Sequence, residues 1–355
     1  MSQEDLASAI RLDRTVVNKI ENGLRKVTAL ELADIALALD ARMTQFFEDP
    51  TPALVSHRSS QGLDTADSRI DSILASIASD VEFVQSLEVN ELTFNDLPAS
   101  RTPPTTIKDA EDLARHAREL MNLPLDEPIN DLVDSVSRLG LLAFSEDIGP
   151  DTADAGTILL RHGGACLVNS HAKVGRRRLA LAHELGHYLI ADEYTIDWRV
   201  DNHSDQSVPL ESRLDFFARA LLLPGKAVTA LWDEFSSAGD ARSAAIRIAS
   251  KFRVDMATLA RRLRELGVVD GDAAAQIRIA RTTHADMIDF GLHVPIEELT
   301  GTSIPRIYAL AVLRLVREER ISRERALDLM RGTFPEADLP DVRQRRADEI
   351  WNFVA

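Results

Sequence analysis

Apolar residues in the first fifty positions recur at helical spacing in three short groups. The groups are separated by a turn at 11–13 and by Asn22-Gly23, a pair typical of a helix C-terminus. Thr28 is a suitable N-cap for the third helix, which we expect to run to Leu39. Three short helices with tight turns predict a helix-turn-helix module over 1–49.

The middle of the chain mixes two periodicities. Strand-like apolar runs occur at 141–144, 157–160 and 165–168. Helical spacing predicts helices at 108–121, 129–139, 175–191, 211–223, 226–236, 241–252 and 256–266. This mixture predicts an α+β domain with a small sheet over 107–270.

Two segments rich in Pro, Ser, Thr or Gly, at 49–63 and 95–106, interrupt these patterns. Between them, apolar residues from Ile70 to Leu87 keep helical spacing, so 50–106 is predicted to be a linker with one long amphipathic connector helix. The acidic remainder, 271–355, is predicted to be helical. The expected fold class is multidomain and mainly α with an α+β core.

Composition and charge restrict the possible functions. The net charge of −16 excludes a general nucleic-acid coat, since phosphate attracts a positive surface, but it allows a small local DNA-reading module. The single cysteine, Cys166, excludes an internal disulfide. The sequence has no apolar run of 18 residues and no leader pattern, so we expect a cytoplasmic protein without a membrane partner.

The sequence HELGH at 183–187 carries the main chemical signal. His183 and His187 are four residues apart, so both imidazoles lie on one helix face and can bind one zinc ion. Glu184 is close enough to take a proton from a water at the metal, as the general base of a metallopeptidase does. Gly186 is expected to leave space beside the metal. The alternative is a core helix whose two histidines are satisfied by ordinary hydrogen bonds.

Spacing alone leaves the third zinc ligand open. A longer HExxHxxGxxH motif is excluded because the chain has Ile190 and Glu193 at its last two positions. Glu211 and Asp215 share a face of the next helix, so one can bind zinc while the other holds a histidine ring. A solvated acidic helix start fits the same spacing. Weaker candidates are His203 and Asp192.

Together, HELGHYL and the later ESRLDFFARALLLP resemble the ImmA/IrrE family of zinc metallopeptidases. That family joins an HELGH helix to a second helix carrying Glu, a small residue with Asn or Asp, Phe-Ala, and Leu-Leu-x-Pro. The corresponding residues here are Glu211, Leu214-Asp215, Phe217-Ala218 and 222–224, and Leu214 replaces the usual alanine.

The resemblance covers about 107–270 and implies a zincin-like α+β peptidase domain. It implies one Zn²⁺ per chain held by His183, His187 and Glu211, with Glu184 as the catalytic base and Asp215 behind the ligands. It also implies a protein substrate, often a repressor. No residue is identified as stabilising the oxyanion. Tyr188 and Tyr194 are candidates, although an ordinary packing role suits each of them.

Residues 2–47 resemble the XRE (Cro/repressor-like) helix-turn-helix family through SQEDLASAI, TVVNKIENG and LELADIALAL. The resemblance implies that the second helix, about 14–21, enters the major groove of duplex DNA. Between Arg11 and Lys26, five cations oppose two acids, which suits phosphate contact. The residues expected to contact DNA are Gln3, Arg14, Thr15, Asn18, Lys19 and Arg25.

The module departs from its family pattern at the N-terminus. That pattern has a helix before the glutamine-containing one, whereas this sequence starts at Met1-Ser2-Gln3. We expect either a start codon upstream of Met1 or a trimmed module with weaker DNA affinity. A module used only for dimerisation or partner binding is the alternative.

A basic run at 241–264 is expected to be the solvated face of a structural helix pair, with a second nucleic-acid or partner surface as the alternative. The complete prediction is a homodimeric, DNA-associated zinc peptidase that cleaves a protein partner such as a repressor or antitoxin. A rival prediction is a transcription regulator whose zinc domain senses a ligand or holds structure without cleaving. A third is an antitoxin-like binding protein that holds its partner through the C-terminal region.

Overall fold

The structure is a computed structural model that describes residues 3–39, 69–92, 102–150, 152–190, 209–237, 239–292 and 297–340, together with the backbone of 54–58. The chain folds into two compact units, Met1–Thr51 and Pro52–Ala355. Within the described ranges, no helix is long and apolar enough to cross a membrane.

The N-terminal unit contains three helices: α1 (Gln3–Ala9), α2 (Arg14–Glu21) and α3 (Ala29–Ala38). Thr28 caps α3 as expected: its hydroxyl accepts from the Glu31 backbone N–H, and the Glu31 carboxylate accepts from the backbone N–H of Thr28. Gly23 follows α2 with a positive φ of 68°. A small core holds the helices together, and it includes Leu6, Ala7, Ile10, Val17 and Ile35.

The second unit is built around a four-stranded sheet in the order β1-β3-β4-β2. Its strands are β1 (Leu54–Arg58), β2 (Leu141–Glu146), β3 (Ala155–Leu159) and β4 (Gly164–Asn169). β2 and β4 are parallel, whereas β3 is antiparallel to both of its neighbours. Strand β1 lies in the segment predicted as a linker, where the sequence pattern predicts no strand. It forms by pairing with a distant strand, which is a tertiary contact that local sequence does not encode.

Helices cover both faces of the sheet. The α-helices described in this unit are α4 (Arg69–Ser86), α5 (Ile107–Leu120), α6 (Leu132–Ser137), α7 (Val174–Ile190), α8 (Leu210–Leu222), α9 (Gly225–Ser237), α10 (Ala241–Phe252), α11 (Met256–Glu265), α12 (Gly271–Ile279), α13 (His284–Asp289), α14 (Arg306–Arg317) and α15 (Arg323–Leu329). Because side chains alternate along β4, Cys166 and Val168 join the core that contains α7, while Ala165 and Leu167 join the core that contains α4 and α14. The sheet is therefore the middle layer of three.

Helix α4, predicted as a connector, packs against β3 and β4. Its Leu74 and Val81 are fully buried, and helix α14 of the C-terminal region covers the same side of the sheet. Tyr308 of α14 meets Phe144 of β2 edge to face, with ring centroids 5.3 Å apart. The predicted fold class, mainly helical with an α+β core, is confirmed. The predicted domain boundaries inside the second unit stay a prediction.

The expectation of a solvated basic face at 241–264 is wrong for part of the run. Arg262 is fully buried, forms an ion pair with Glu111 at 2.7 Å and donates to the backbone oxygen of Leu223 at 3.0 Å. Arg242 forms an ion pair with Asp286 at 2.6 Å. Arg262 is tolerated in the interior because a carboxylate and a carbonyl satisfy its buried guanidinium, whereas Arg242 stays exposed while it pairs with Asp286.

Candidate metal centre and helix-turn-helix surface

Helices α7 and α8 approach each other closely at Gly186. A Cβ atom at this position would lie 2.9 Å from Cδ1 of Phe217 and 3.1 Å from Cδ2 of Leu214, both on α8. Glycine is therefore required for the contact between the two helices. The expectation that Gly186 leaves space beside the metal is wrong, because the side of Gly186 that lacks a Cβ is in contact with α8.

The close contact brings three predicted ligands together. The Nε2 atoms of His183 and His187 are 3.1 Å apart. Oε2 of Glu211 lies 3.2 Å from Nε2 of His183, and Oε1 of Glu211 lies 3.4 Å from Nε2 of His187. Both histidines are buried, whereas the Glu211 side chain is 65% exposed. The triad thus opens toward solvent on the side of Glu211.

These distances fit a single bound ion. A tetrahedral zinc with ligand bonds of about 2.0–2.1 Å holds neighbouring ligand atoms about 3.3–3.4 Å apart. The three observed separations are 3.1, 3.2 and 3.4 Å. In the described part of the chain, this is the group of His, Cys, Asp and Glu side chains whose spacing can hold a metal ion. Two imidazoles and one carboxylate with room for a fourth ligand are typical of catalytic zinc.

Asp215 orients the first histidine. Its Oδ1 lies 3.0 Å from Nδ1 of His183. With the proton on Nδ1, His183 donates to this carboxylate and keeps its Nε2 lone pair for a metal. Asp215 lies one turn after Glu211 on α8, so the same helix supplies both carboxylates.

Glu184 is fully buried, and neither of its carboxylate oxygens has a hydrogen-bond partner among the described residues. A buried, unpartnered carboxylate is costly, and such groups mark places where a ligand or water completes the site. Burial, together with the nearby charge of Glu184, raises the pKa of the Cys166 thiol on β4. Helix α7, which carries Glu184, packs on β3 and β4.

The charge state of Glu211 suits a ligand. Partial burial raises the pKa of its carboxyl group, but hydrogen bonds from His183 and His187 lower it by more, so the pKa falls well below its usual value. The carboxylate is therefore ionised at neutral pH, as a zinc ligand must be.

The N-terminal half of α7 is anchored by two buried arginines. Arg177 forms an ion pair with Glu297 at 3.0 Å, and Arg178 forms one with Glu298. Arg178 also donates to the backbone oxygen of Ile129 at 2.7 Å, and burial lowers its pKa to about 9. These contacts fix α7 against the segment just before α14, so the C-terminal region helps to position the metal site.

Tyr188 has a packing role, which is one of the two roles considered for it in the sequence analysis. Its ring is buried, and its hydroxyl donates to the backbone oxygen of Leu139 at 2.9 Å. The other candidates, Tyr194, His203 and Asp192, lie outside the described residues. Sequence reasoning did not single out Thr157, which is fully buried on β3 opposite Cys166, on the face of the sheet that packs on α7.

In the N-terminal unit, α2 presents its predicted DNA-contacting residues on one exposed face. Arg14, Thr15, Asn18 and Lys19 are all exposed, while Val17 on the opposite side is buried. Spacings of one, four and five residues from Arg14 place these side chains together. This is the arrangement that a recognition helix requires.

Four of the predicted contacts have side-chain partners within the unit. Oδ1 of Asn18 accepts from the side-chain amide of Asn22 at 3.0 Å. The Gln3 amide donates to the carboxylate of Glu21, and Arg14 lies 3.4 Å from the carboxylate of Glu4. Arg25 forms an ion pair with Glu31 at 2.8 Å. The pairs of Gln3 and Arg14 are exposed, so they can exchange these partners for phosphate at little cost.

Comparison with known proteins finds matches for two segments of the chain. Residues 137–264 match the IrrE N-terminal-like domain of the Peptidase_M78 family, and residues 1–46 match a helix-turn-helix family. The chain is also 41% identical over 49 residues to the control protein C.MunI of Mycoplasma sp.. That match covers 14% of this chain and 66% of the relative's length.

The first match covers the sheet strands β2 to β4 and helices α7 to α11, including all the candidate metal ligands. The second covers α1 to α3. The protein thus combines an N-terminal domain that matches the helix-turn-helix family with a domain that matches the IrrE-like Peptidase_M78 family.

Proposed function

We propose that this protein is a DNA-associated regulatory zinc endopeptidase that cleaves a protein partner, such as a repressor or an antitoxin. The observation that supports it best is the buried Glu184 carboxylate, unpartnered beside a triad of two imidazoles and one carboxylate. A purely structural metal site needs no free base next to its ligands. The M78 match favours the same activity.

The ligands fit zinc, with His183, His187 and Glu211 holding it and Asp215 orienting His183. When bound by these residues, zinc would supply a water of lowered pKa and a Lewis acid for the scissile carbonyl. Glu184 takes the proton from the attacking water and delivers it to the amine that leaves, so the peptide bond is exchanged for a carboxylate and an amine. Burial around α7 keeps bulk water from the carboxylate.

In this proposal, the helix-turn-helix domain places the peptidase at an operator. The exposed face of α2 reads base edges in the major groove, and two chains bind the two halves of a palindrome. The match to a control protein favours a regulatory role for this domain. Cleavage of a partner would then change transcription at the bound site.

Capture of the substrate tests the proposal. A full-length Glu184→Gln chain keeps the three ligands but lacks the base, so it should retain its partner in a pull-down from cells. The double variant His183→Ala, His187→Ala is the matched control for captures that do not involve the metal site. Zinc-loaded wild-type protein should then cut the captured partner at one position, identified by mass spectrometry. A captured partner that stays intact would favour the sensor or binding function instead.

A further inference from the structure

Strand β1 is an edge strand contributed by a distant part of the chain. It follows the N-terminal unit in sequence, yet it pairs antiparallel with β3 and approaches α7. The pairing is short and irregular, because the register shifts between Leu54 and Ser56. A strand of five residues with a register shift contributes little stability by itself.

The register places the middle of β1 in one row with Thr157 and Cys166. Ser56 lies opposite Thr157 on β3, and Thr157 lies opposite Cys166 on β4. Cys166 belongs to the face of the sheet that packs on α7, the helix that carries Glu184 and both histidines. A single row of paired residues therefore extends from β1 across β3 to the face of β4 that packs on α7, the helix that carries the two histidines.

An edge such as that of β3 is a binding site for extended polypeptide. Without β1, the backbone N–H and C=O groups along the outer side of β3 would lack strand partners. An extended peptide can satisfy them by adding as a new antiparallel strand, about 4.8 Å from β3. Such a peptide would run beside α7, with alternate side chains on the face of the metal site. Strand β1 takes this place in the structure.

We propose that β1 is an autoinhibitory strand, and that the protein substrate binds as an extended segment antiparallel to β3 only after β1 has left. This inference rests on the proposed peptidase function, because it names the substrate-binding edge and the regulation of that site. It assigns a role to residues 54–58, which the sequence pattern alone predicted to be part of a linker.

Proline substitution can release β1 without changing the metal site. Consecutive backbone N–H groups of a strand point to opposite sides, so one of the two at Ser56 and His57 faces β3. The double substitution Ser56→Pro, His57→Pro removes both N–H groups and therefore removes that hydrogen-bond donor. The matched control places two prolines just beyond the strand, at Ser60 and Gln61. All variants are full-length chains.

Two measurements decide the inference independently of catalysis. Amide hydrogen exchange at Ala155–Leu159 should be at least tenfold faster in the strand variant than in wild type, and unchanged in the control. A synthetic peptide of residues 50–62 should bind the strand variant at least tenfold more tightly than wild type and restore protection of β3, whereas a scrambled peptide should not. Unchanged exchange, or equal affinity of the peptide for both chains, would overturn the inference.

A third measurement links the strand to activity. The zinc-loaded strand variant should cleave the captured partner at least tenfold faster than wild type. Equal rates would show that β1 does not inhibit, while the proposed peptidase function would stand. If neither chain cleaves the partner, the proposed function fails, and the exchange and peptide-binding results still decide whether β1 fills the edge.

Discussion

Replacing Gly186 by alanine should disturb the metal centre through the contact between α7 and α8. The new Cβ would lie 2.9 Å from Cδ1 of Phe217, which is fully buried. Carbon atoms in contact prefer about 3.5–4.0 Å, so the helices must separate by about 0.6–1.1 Å. Catalytic and metal sites tolerate displacements of only about 0.5 Å. Because α8 carries Glu211, the ligand set should loosen as α8 moves.

The size of the effect of Gly186→Ala can be expressed as a change in the free energy of unfolding. Overpacking costs about 1–3 kcal/mol, and alanine in a helix recovers about 0.5–1 kcal/mol relative to glycine. Gly186→Ala should therefore lower stability by about 1 kcal/mol, as the difference of these two effects. The matched control is Gly271→Ala at the start of α12, where a Cβ meets no atom within 4 Å. The control should be neutral or slightly more stable than wild type.

Urea unfolding of the metal-free chains and chelator competition for zinc are the assays for both variants. We expect Gly186→Ala to unfold at lower urea than Gly271→Ala and to lose zinc to a weaker chelator. If the two variants have equal stability and equal zinc affinity, the helices are not in contact at Gly186. The packing explanation of the metal centre would then be refuted.

Three further predictions follow from the site and from α2. Asp215→Asn should weaken zinc binding about 10–100-fold, because the His183 ring would no longer donate to a charged carboxylate. As the control, Asp233→Asn on an exposed part of α9 should leave chelator competition unchanged. Glu211→Ala should reduce the zinc retained by dialysed protein below one equivalent, and full retention would identify a different third ligand. Arg14→Ala and Asn18→Ala should each weaken binding to a selected operator by about 1–3 kcal/mol and binding to random duplex by less. Fluorescence anisotropy measures both affinities. Equal losses on the two DNAs would mean that both residues contact only the DNA backbone.

Elements with strong local signals could be predicted from the sequence. Helix α7 has its histidines at i and i+4, so one helical period is enough to place them on the same face. The pairing of Glu211 and Asp215 on α8 follows the same spacing. Spacing alone left open which carboxylate faces the metal, and the family resemblance implied Glu211. In the structure, Glu211 lies beside both imidazoles and Asp215 behind one of them.

Features that depend on tertiary contacts could not be predicted. Strand β1 exists through its pairing with β3, and the charged side chain of Arg262 is buried only because Glu111 and the backbone of Leu223 meet it. Neither contact leaves a local pattern in the sequence. The role of Gly186 was misassigned for the same reason, since the residue facing it belongs to α8.

The most direct test of the central claim is to compare wild type with Glu184→Gln on the captured partner, with zinc content measured on the same samples. Glutamine has nearly the same shape and Glu184 is not one of the three proposed ligands, so zinc content and melting temperature should stay at the wild-type values. The value of kcat/KM for cleavage should fall about 10²–10⁴-fold, the usual scale for loss of a general base. Cleavage at the wild-type rate by a zinc-loaded Glu184→Gln chain would contradict the assignment of Glu184 as the base.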